Sequence, residues 1–224
     1  MGLTAIVIGA TGATGKALVQ TLSQDKEYEL VKIFVRSSSG LSDTKIEEHV
    51  VDFDHIENFQ DLLSGNVLFC VMGTTIKIAK SKVNQYKVDY TYQYKVAKAC
   101  AKNGVPQLVL QSSLGAKPKS KAFYSRIKGE LEEAVKALAF EHIVIFRPSF
   151  LDARRSPFRV GEYIGIMITY ALMILPFIRP FRPIKMPALS KVLISASKMK
   201  KHSRITIYES KDIFALAEKN AISA

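Results

Sequence analysis

The chain has 224 residues, enough for one domain with a sizeable core. With 48% hydrophobic and 23% charged residues and no repeat or low-complexity tract, it is not a disordered, fibrous or repeat protein. The net charge of +12 suits nucleic acid, a membrane surface or an anionic cofactor. The lysine clusters at 77–82, 117–121 and 198–204 lack interleaved aromatics, so no nucleic-acid partner is expected.

Apolar runs alternate with helical patterns along the chain. LTAIVIGA (3–10) predicts a strand and GKALVQTLSQ (15–24) a helix. ELVKIFVR (29–36) and EEHVVDF (47–53) predict the next strands, and NFQDLLS (58–64) a brief helix. NVLFCVMG (66–73) is apolar throughout, as expected of a strand covered on both faces. A long helix follows from about 82 to 102, with Asn103-Gly104 as its C-cap. QLVLQSS (107–113), SRIKGELEEAVKAL (125–138) and HIVIFRP (142–148) predict strand, helix and strand.

After residue 150 prolines cluster at 157, 176, 180, 183 and 187, and the alternation loosens. Residues 150–205 therefore read as an irregular segment covering a substrate site. RITIYES (204–210) predicts a late strand and DIFALAEKN (212–220) a closing helix. The fold class is α/β: a single doubly wound, mostly parallel Rossmann-type sheet over 1–224 with that small covering region.

Cys70 and Cys100 lie thirty residues apart in apolar contexts. They point to reduced, buried thiols rather than a disulfide or metal site, and to a cytoplasmic protein. The N-terminus shows neither a basic n-region nor a cleavage site, so no secretory signal is expected. YIGIMITYALMILPFI (163–178) holds sixteen uncharged residues between Glu162 and Arg179. A span needs about twenty. The segment is expected to pack on the core or on a second subunit, so a homo-oligomer is admitted and stable membrane insertion is not expected.

The glycines of GATGATGK (9–16) follow a strand and open a helix. That context turns a weak spacing into a candidate dinucleotide cradle. Glycine permits the tight turn, and the helix N-terminus offers N–H groups and partial positive charge to a diphosphate. Gly15 would let the helix pack close to the sheet. An NAD site usually carries an acid at the end of the second strand. Here Arg36 stands in that place, followed by Ser37 and Ser38. Arginine can pair with a 2′-phosphate, so NADP(H) is expected in preference to NAD(H). Asp52 would either accept from the adenine amino group or cap its own loop.

Carbonyl reduction needs a group that exchanges a proton with the substrate oxygen. A tyrosine with a lysine four residues on, both on one helix face, is one solution. The pairs Tyr28/Lys32, Tyr94/Lys98 and Tyr124/Lys128 all satisfy the spacing. The first runs into a strand, and the second lies far from a strand end. Only Tyr124/Lys128 follows a serine-ended strand, with Ser113, or alternatively Ser112, available to the substrate oxygen.

The segments VVDF (50–53), GTT (73–75), SSLGA (112–116), YSRIKGE (124–130), FRP (146–148) and RVGE (159–162) occur in an order that resembles atypical short-chain dehydrogenase/reductases, closest to the Tat-interacting-protein oxidoreductase branch. The resemblance covers roughly residues 3 to 165. It implies a cofactor held by Gly9, Thr11, Gly12, Ala13, Thr14 and Arg36. It adds Met72 and Gly73 beside the ribose, Leu151 near the nicotinamide and Arg159 near the phosphates. Tyr124 would be the acid/base and Lys128 its partner, both also touching the cofactor. The expected function is an NADP(H)-dependent oxidoreductase of a small carbonyl or alcohol substrate. A cofactor-binding regulatory protein without turnover is the alternative.

Overall fold

Strands form where apolar and β-branched residues run together, and the central ones are buried on both faces. In the computed structural model, which describes residues 2–149, 151–152, 182–200 and 203–222, these are β1 (Leu3–Ile8), β2 (Tyr28–Val35), β3 (Ile46–Val50), β4 (Val67–Cys70), β5 (Gln107–Gln111) and β6 (His142–Arg147). β7 (Leu151–Asp152) and β8 (Ile184–Lys185) pair as a small separate sheet, and β9 (Ile205–Glu209) returns to the main one. Among the described residues the main sheet has seven strands in the order β3-β2-β1-β4-β5-β6-β9, and every pairing is parallel. The order reverses between β1 and β4. A ligand crevice is expected there, beyond the strands' carboxyl ends.

Side-chain alternation along the strands divides the core in two. Ala5 and Val7 of β1, Val31 and Ile33 of β2 and Phe69 of β4 face one side. There they meet Leu18 and Leu22 of α1 (Ala13–Gln24). Ile6, Ile8, Leu68 and Leu108 face the other side, against Val96 and Cys100, and Leu131 and Val135 of α5 (Phe123–Lys136). This two-sided burial is why the strands read as continuous apolar runs. Cys70 and Cys100 are both buried and free.

The helix expected from 82 to 102 follows a short α2 (Ile76–Ala79) and has three parts. These are α3 (Lys82–Tyr86), a π-helical turn (Lys87–Thr91) and α4 (Tyr92–Lys102). Gly104 closes it at a φ of 78°, with the Val105 amide donating to the Cys100 carbonyl at 3.0 Å, as the C-cap reading required. The brief helix expected at 58–64 is instead two 3₁₀ turns, Ile56–Asn58 and Gln60–Leu62. Neither has a side-chain cap, and the segment is too short to propagate an α-helix.

A second correction concerns 150–205. Its described part contains a regular helix, α6 (Met186–Lys198), where irregular cover was expected. Pro187 misled the reading: it occupies the first turn of that helix, where a missing N–H costs nothing. α6 packs on the sheet beside α1 through Leu189, Val192 and Leu193. Lys198 anchors its far end on Asp25 at 2.6 Å and Glu27 at 2.8 Å, and the Tyr28 hydroxyl meets Ser197 at 2.7 Å. α7 (Ser210–Ile222) closes the chain. Among the described residues no helix is long and apolar enough to cross a membrane, and 163–178 lies outside them.

Candidate active site

The reversal in strand order opens into a cleft of about 760 Å³. Its floor is the loop from β1 into α1. Gly9 has a φ of 91°, and a Cβ there would lie 2.6 Å from the Met72 amide nitrogen. Gly15 is tighter still: a Cβ would fall 2.0 Å from the Gly9 carbonyl oxygen. Both glycines therefore hold α1 and the β4 loop against the turn. Gly12 differs. Its φ is an ordinary −74°, and a Cβ would meet only the Gly9 oxygen at 3.3 Å. Gly12 is also the N-cap of α1 and supplies no side-chain acceptor, so the helix's first N–H groups are left for a ligand.

Gly9, Thr11, Gly12, Ala13, Thr14, Arg36, Met72, Gly73, Tyr124, Lys128 and Leu151 all line the cleft, drawn from five separate segments. Thr14 does so with its hydroxyl already committed, donating to the Met186 sulfur at 3.3 Å. Arg36 directly follows β2 and is exposed, and its guanidinium has no ion pair among the described residues. The nearby acid Glu48 is drawn instead to the Ser39 amide at 2.9 Å and to the Ser39 hydroxyl. Those bonds hold its carboxyl below the usual range.

Several expected residues are placed elsewhere. Ser37 is exposed and outside the cleft lining. Asp52 also lies outside it and caps its own turn, accepting from the Asp54 amide at 2.9 Å, which is the loop-capping alternative. Ser113 does not line the cleft, and its hydroxyl turns to the Leu114 carbonyl at 3.4 Å. The alternative, Ser112, does line it, because side chains alternate at the end of β5. Its hydroxyl donates to Glu132. Arg159 lies outside the described residues.

Of the three tyrosines with a lysine four residues on, Tyr124 alone is part of the cleft. Tyr28 is buried on β2, where loss of solvent pushes its hydroxyl up to about 12, and Tyr94 stacks on Tyr90. Tyr124 is 40% exposed, while Lys128 is only 2% exposed. One turn of α5 brings the Lys128 ammonium to 5.9 Å from the centre of the Tyr124 ring.

The Lys128 ammonium pairs with Asp89 at 3.0 Å and donates to the Met72 carbonyl at 3.4 Å. Burial, the largest single influence, pushes Lys128 towards its neutral form. The charge of Asp89, with Tyr124 and Cys70, outweighs it and holds the lysine above its ordinary value. Asp89 is fully buried on the π-helical turn, and it also accepts from the Thr74 amide at 3.2 Å. Gln93, equally buried, donates to the Met72 carbonyl at 3.1 Å, and Gln85 to the Thr74 carbonyl at 3.3 Å.

These three residues are absent from the expected site, although the sequence carries a signal for them. Positions 85, 89 and 93 recur at helical spacing on the same face as the apolar 96 and 100. A polar residue on such a face must find a partner. Glu132 was missed likewise. It is 1% exposed and takes Arg147 in a two-pronged pair at 3.0 and 2.6 Å.

Comparison with known proteins agrees with this geometry. Residues 9–161 match a family model described as NAD(P)H-binding. Protein FMP52, mitochondrial, from Candida glabrata is 36% identical over 70% of this chain and 68% of its own length. The FMP52 protein of Eremothecium gossypii is 29% identical over 97% and 98%, and HTATIP2 of Rattus norvegicus 30% identical over 71% and 67%. Among solved structures, an NAD-bound short-chain dehydrogenase/reductase superfamily protein from Agrobacterium tumefaciens superposes with a TM-score of 0.69 at 17% identity, covering 98% of this chain and 82% of that one. That likeness speaks for the fold.

The expectation of a cytoplasmic protein is overturned, since the FMP52 relatives are named as mitochondrial proteins. Two buried free thiols exclude a disulfide scaffold but do not separate one reducing compartment from another. Sheet order, glycine turn and matched relatives converge: the chain belongs to the NAD(P)H-binding, short-chain dehydrogenase/reductase-like oxidoreductase family, in the atypical branch that contains HTATIP2 and FMP52.

Proposed function

We propose that the protein is an NADP(H)-dependent oxidoreductase acting on a small carbonyl or alcohol substrate. The observation that carries this reading is the meeting of the glycine turn, Arg36, Lys128 and Tyr124 in one cleft, from segments far apart in the chain. The residues present fit a dinucleotide. The backbone of Gly9, Thr11, Gly12 and Ala13 surrounds a helix N-terminus that no side chain caps. Arg36 would meet the 2′-phosphate, and Met72 and Gly73 the ribose. Leu151 would cover the nicotinamide.

Bound there, the reduced nicotinamide supplies a hydride. Tyr124, exposed at the mouth, gives a proton to the substrate oxygen, and Lys128 keeps a fixed positive charge beneath its ring. A carbonyl-reduction screen with NADPH tests this: turnover that disappears in Tyr124→Phe supports it, and turnover unaffected by that change refutes the role of Tyr124. The second reading, a cofactor-binding regulatory protein without turnover, draws on the two serine hydroxyls. Ser112 is committed to Glu132 and Ser113 to a carbonyl, so neither is presented free to a substrate. Binding of NADPH with no turnover across the screen would favour it.

A further inference from the structure

Positive charge is not spread evenly along the chain. Residues 73–88 and 112–129 contain nine lysines and arginines and no Asp or Glu, so they carry +9 of the chain's net +12. Three of the nine have acidic partners: Lys87 pairs with Asp54 at 2.7 Å, Arg126 with Glu130 at 3.9 Å and Lys128 with Asp89 at 3.0 Å. Lys77, Lys80, Lys82, Lys117, Lys119 and Lys121 are exposed and have no ion pair among the described residues.

The fold brings the two segments together at the mouth of the cleft. The ammonium of Lys82, which opens α3, lies 5.5 Å from the centre of the Phe123 ring, and the Arg126 guanidinium is equally close. Phe123 starts α5, and the next residue is Tyr124. The 117–121 segment is fastened to the same helix. The Lys117 amide donates to the Ser125 carbonyl at 3.0 Å, and a Cβ on Gly129 would fall 2.3 Å from the Lys117 carbonyl carbon. From the other segment, Ile78, Ala79 and Asn84 line the cleft. Ile76, Ile78 and Val83 are exposed among its lysines, which makes an apolar strip. Lys80 has a φ of 64°, a conformation that glycine adopts more easily, so a cation is kept there at a cost in backbone energy.

We propose that the substrate is an amphiphilic anion: a carbonyl compound whose apolar body lies along α2 and whose phosphate sits among Lys82, Lys119 and Lys121 while the carbonyl reaches Tyr124. The proposal rests on the reading of Tyr124 as the proton donor of a carbonyl reduction.

The chemistry of the patch selects this class. A phosphate ester carries close to two negative charges and three acceptor oxygens, which suits several unpaired ammoniums better than a neutral group does. A positively charged mouth also raises the rate at which an anion arrives, by about 10- to 10³-fold at low salt. The cofactor's own phosphates are provided for by the glycine turn and Arg36, in other segments. The phosphate takes no part in the reaction. The carbonyl carbon accepts a hydride from NADPH, which becomes NADP⁺, and the carbonyl oxygen accepts the Tyr124 proton.

The test uses two aldehydes that differ in charge but share a para oxygen, 4-formylphenyl phosphate and 4-methoxybenzaldehyde. Three proteins are compared: wild type, a patch variant (Lys82→Gln, Lys119→Gln, Lys121→Gln) and a control variant (Lys26→Gln, Lys98→Gln, Lys102→Gln). The control loses the same charge from exposed lysines near the amino ends of the strands, away from the cleft. At about 20 mM salt, wild type should show kcat/KM about tenfold or more in favour of the phosphate. The preference should shrink at about 200 mM salt, where exposed charges are screened. The patch variant should lose about tenfold on the phosphate, none on the neutral aldehyde, and less than about twofold in NADPH affinity. The control variant should keep most of the preference.

Equal kcat/KM for the two aldehydes in wild type overturns the proposal. So does a preference that the patch variant retains, or one that the control loses equally. A patch variant that loses NADPH affinity as strongly as phosphate turnover assigns the lysines to the cofactor, and this too overturns it. If neither aldehyde turns over, calorimetric titration of 4-formylphenyl phosphate into the NADP⁺-loaded protein decides. Binding weakened about tenfold in the patch variant keeps the anion site and refutes the reductase reading, while binding that is absent or independent of the three lysines refutes the site. Should wild type bind no NADPH, the proposed function fails, and the same titration on the unloaded protein judges the patch by itself.

Discussion

Gly12 and Gly15 are three residues apart in one turn, yet their substitution should damage different properties. At Gly15 a Cβ would fall 2.0 Å from the Gly9 oxygen and 2.8 Å from the Ala10 Cα, both backbone. Ordinary contact begins near 3.4 Å, so α1 would have to move by more than an ångström against a core that includes Leu18 and Leu22. Overpacking of this kind costs about 1–3 kcal/mol. For a chain of this length that is a fall of roughly 2–12 °C in melting temperature. At Gly12 the backbone is unstrained and the contact is 3.3 Å to one oxygen, which a shift of tenths of an ångström relieves.

Gly12→Val should therefore keep most of the fold while filling the space a diphosphate needs above the helix N-terminus. Thermal unfolding and calorimetric titration with NADPH on both variants separate the two effects. Gly15→Ala is expected to unfold earlier. Gly12→Val is expected to melt within a few degrees of wild type and to bind no NADPH. A Gly12→Val protein that binds NADPH normally would refute the cradle, and an undiminished melting temperature for Gly15→Ala would refute the packing argument.

Tyr124→Phe should lower turnover about 10²–10⁴-fold on any confirmed substrate with little change in cofactor affinity. Ser112→Ala should reduce turnover more than Ser113→Ala, because only Ser112 lines the cleft; comparing the two rates decides it. Tyr28 carries a raised pKa of about 12 because it is buried, against 10.0 for the free side chain. Its neutral form is favoured in the folded state, so stability is present below pH 10 and is lost between pH 10 and 12. Melting curves from pH 9 to 11.5 should fall less steeply for Tyr28→Phe than for wild type, and equal slopes would contradict this.

The sheet was legible because both faces of its central strands are covered, which writes those strands as apolar runs such as VLFC at 67–70. The glycine turn was legible because a tight strand-to-helix junction admits few other residues. What escaped the reading depends on the third dimension. Pro187 looked like a break in structure, and only the position of α6 against α1 makes it a helix start. Ser112 and Ser113 differ by one place, and the pleat of β5, not their identity, decides which enters the cleft. Asp89 sits among lysines and tyrosines in sequence, while its partners Lys128 and Thr74 come from α5 and the β4 loop. Asp52 resembled a cofactor contact because it follows a strand, yet a local amide claims it.

Arg36 carries the central claim, since it stands where an acid would select NAD and has no ion-pair partner among the described residues. A forked, charge-assisted pair with a 2′-phosphate contributes about 1.5–3 kcal/mol, or roughly tenfold to a hundredfold in affinity. Dissociation constants for NADPH and NADH, measured by calorimetry on wild type and Arg36→Asp, test it most directly. Wild type should bind NADPH at least about tenfold more tightly, and Arg36→Asp should lose that preference while binding NADH as well or better. Wild type binding NADH as tightly as NADPH would contradict the account.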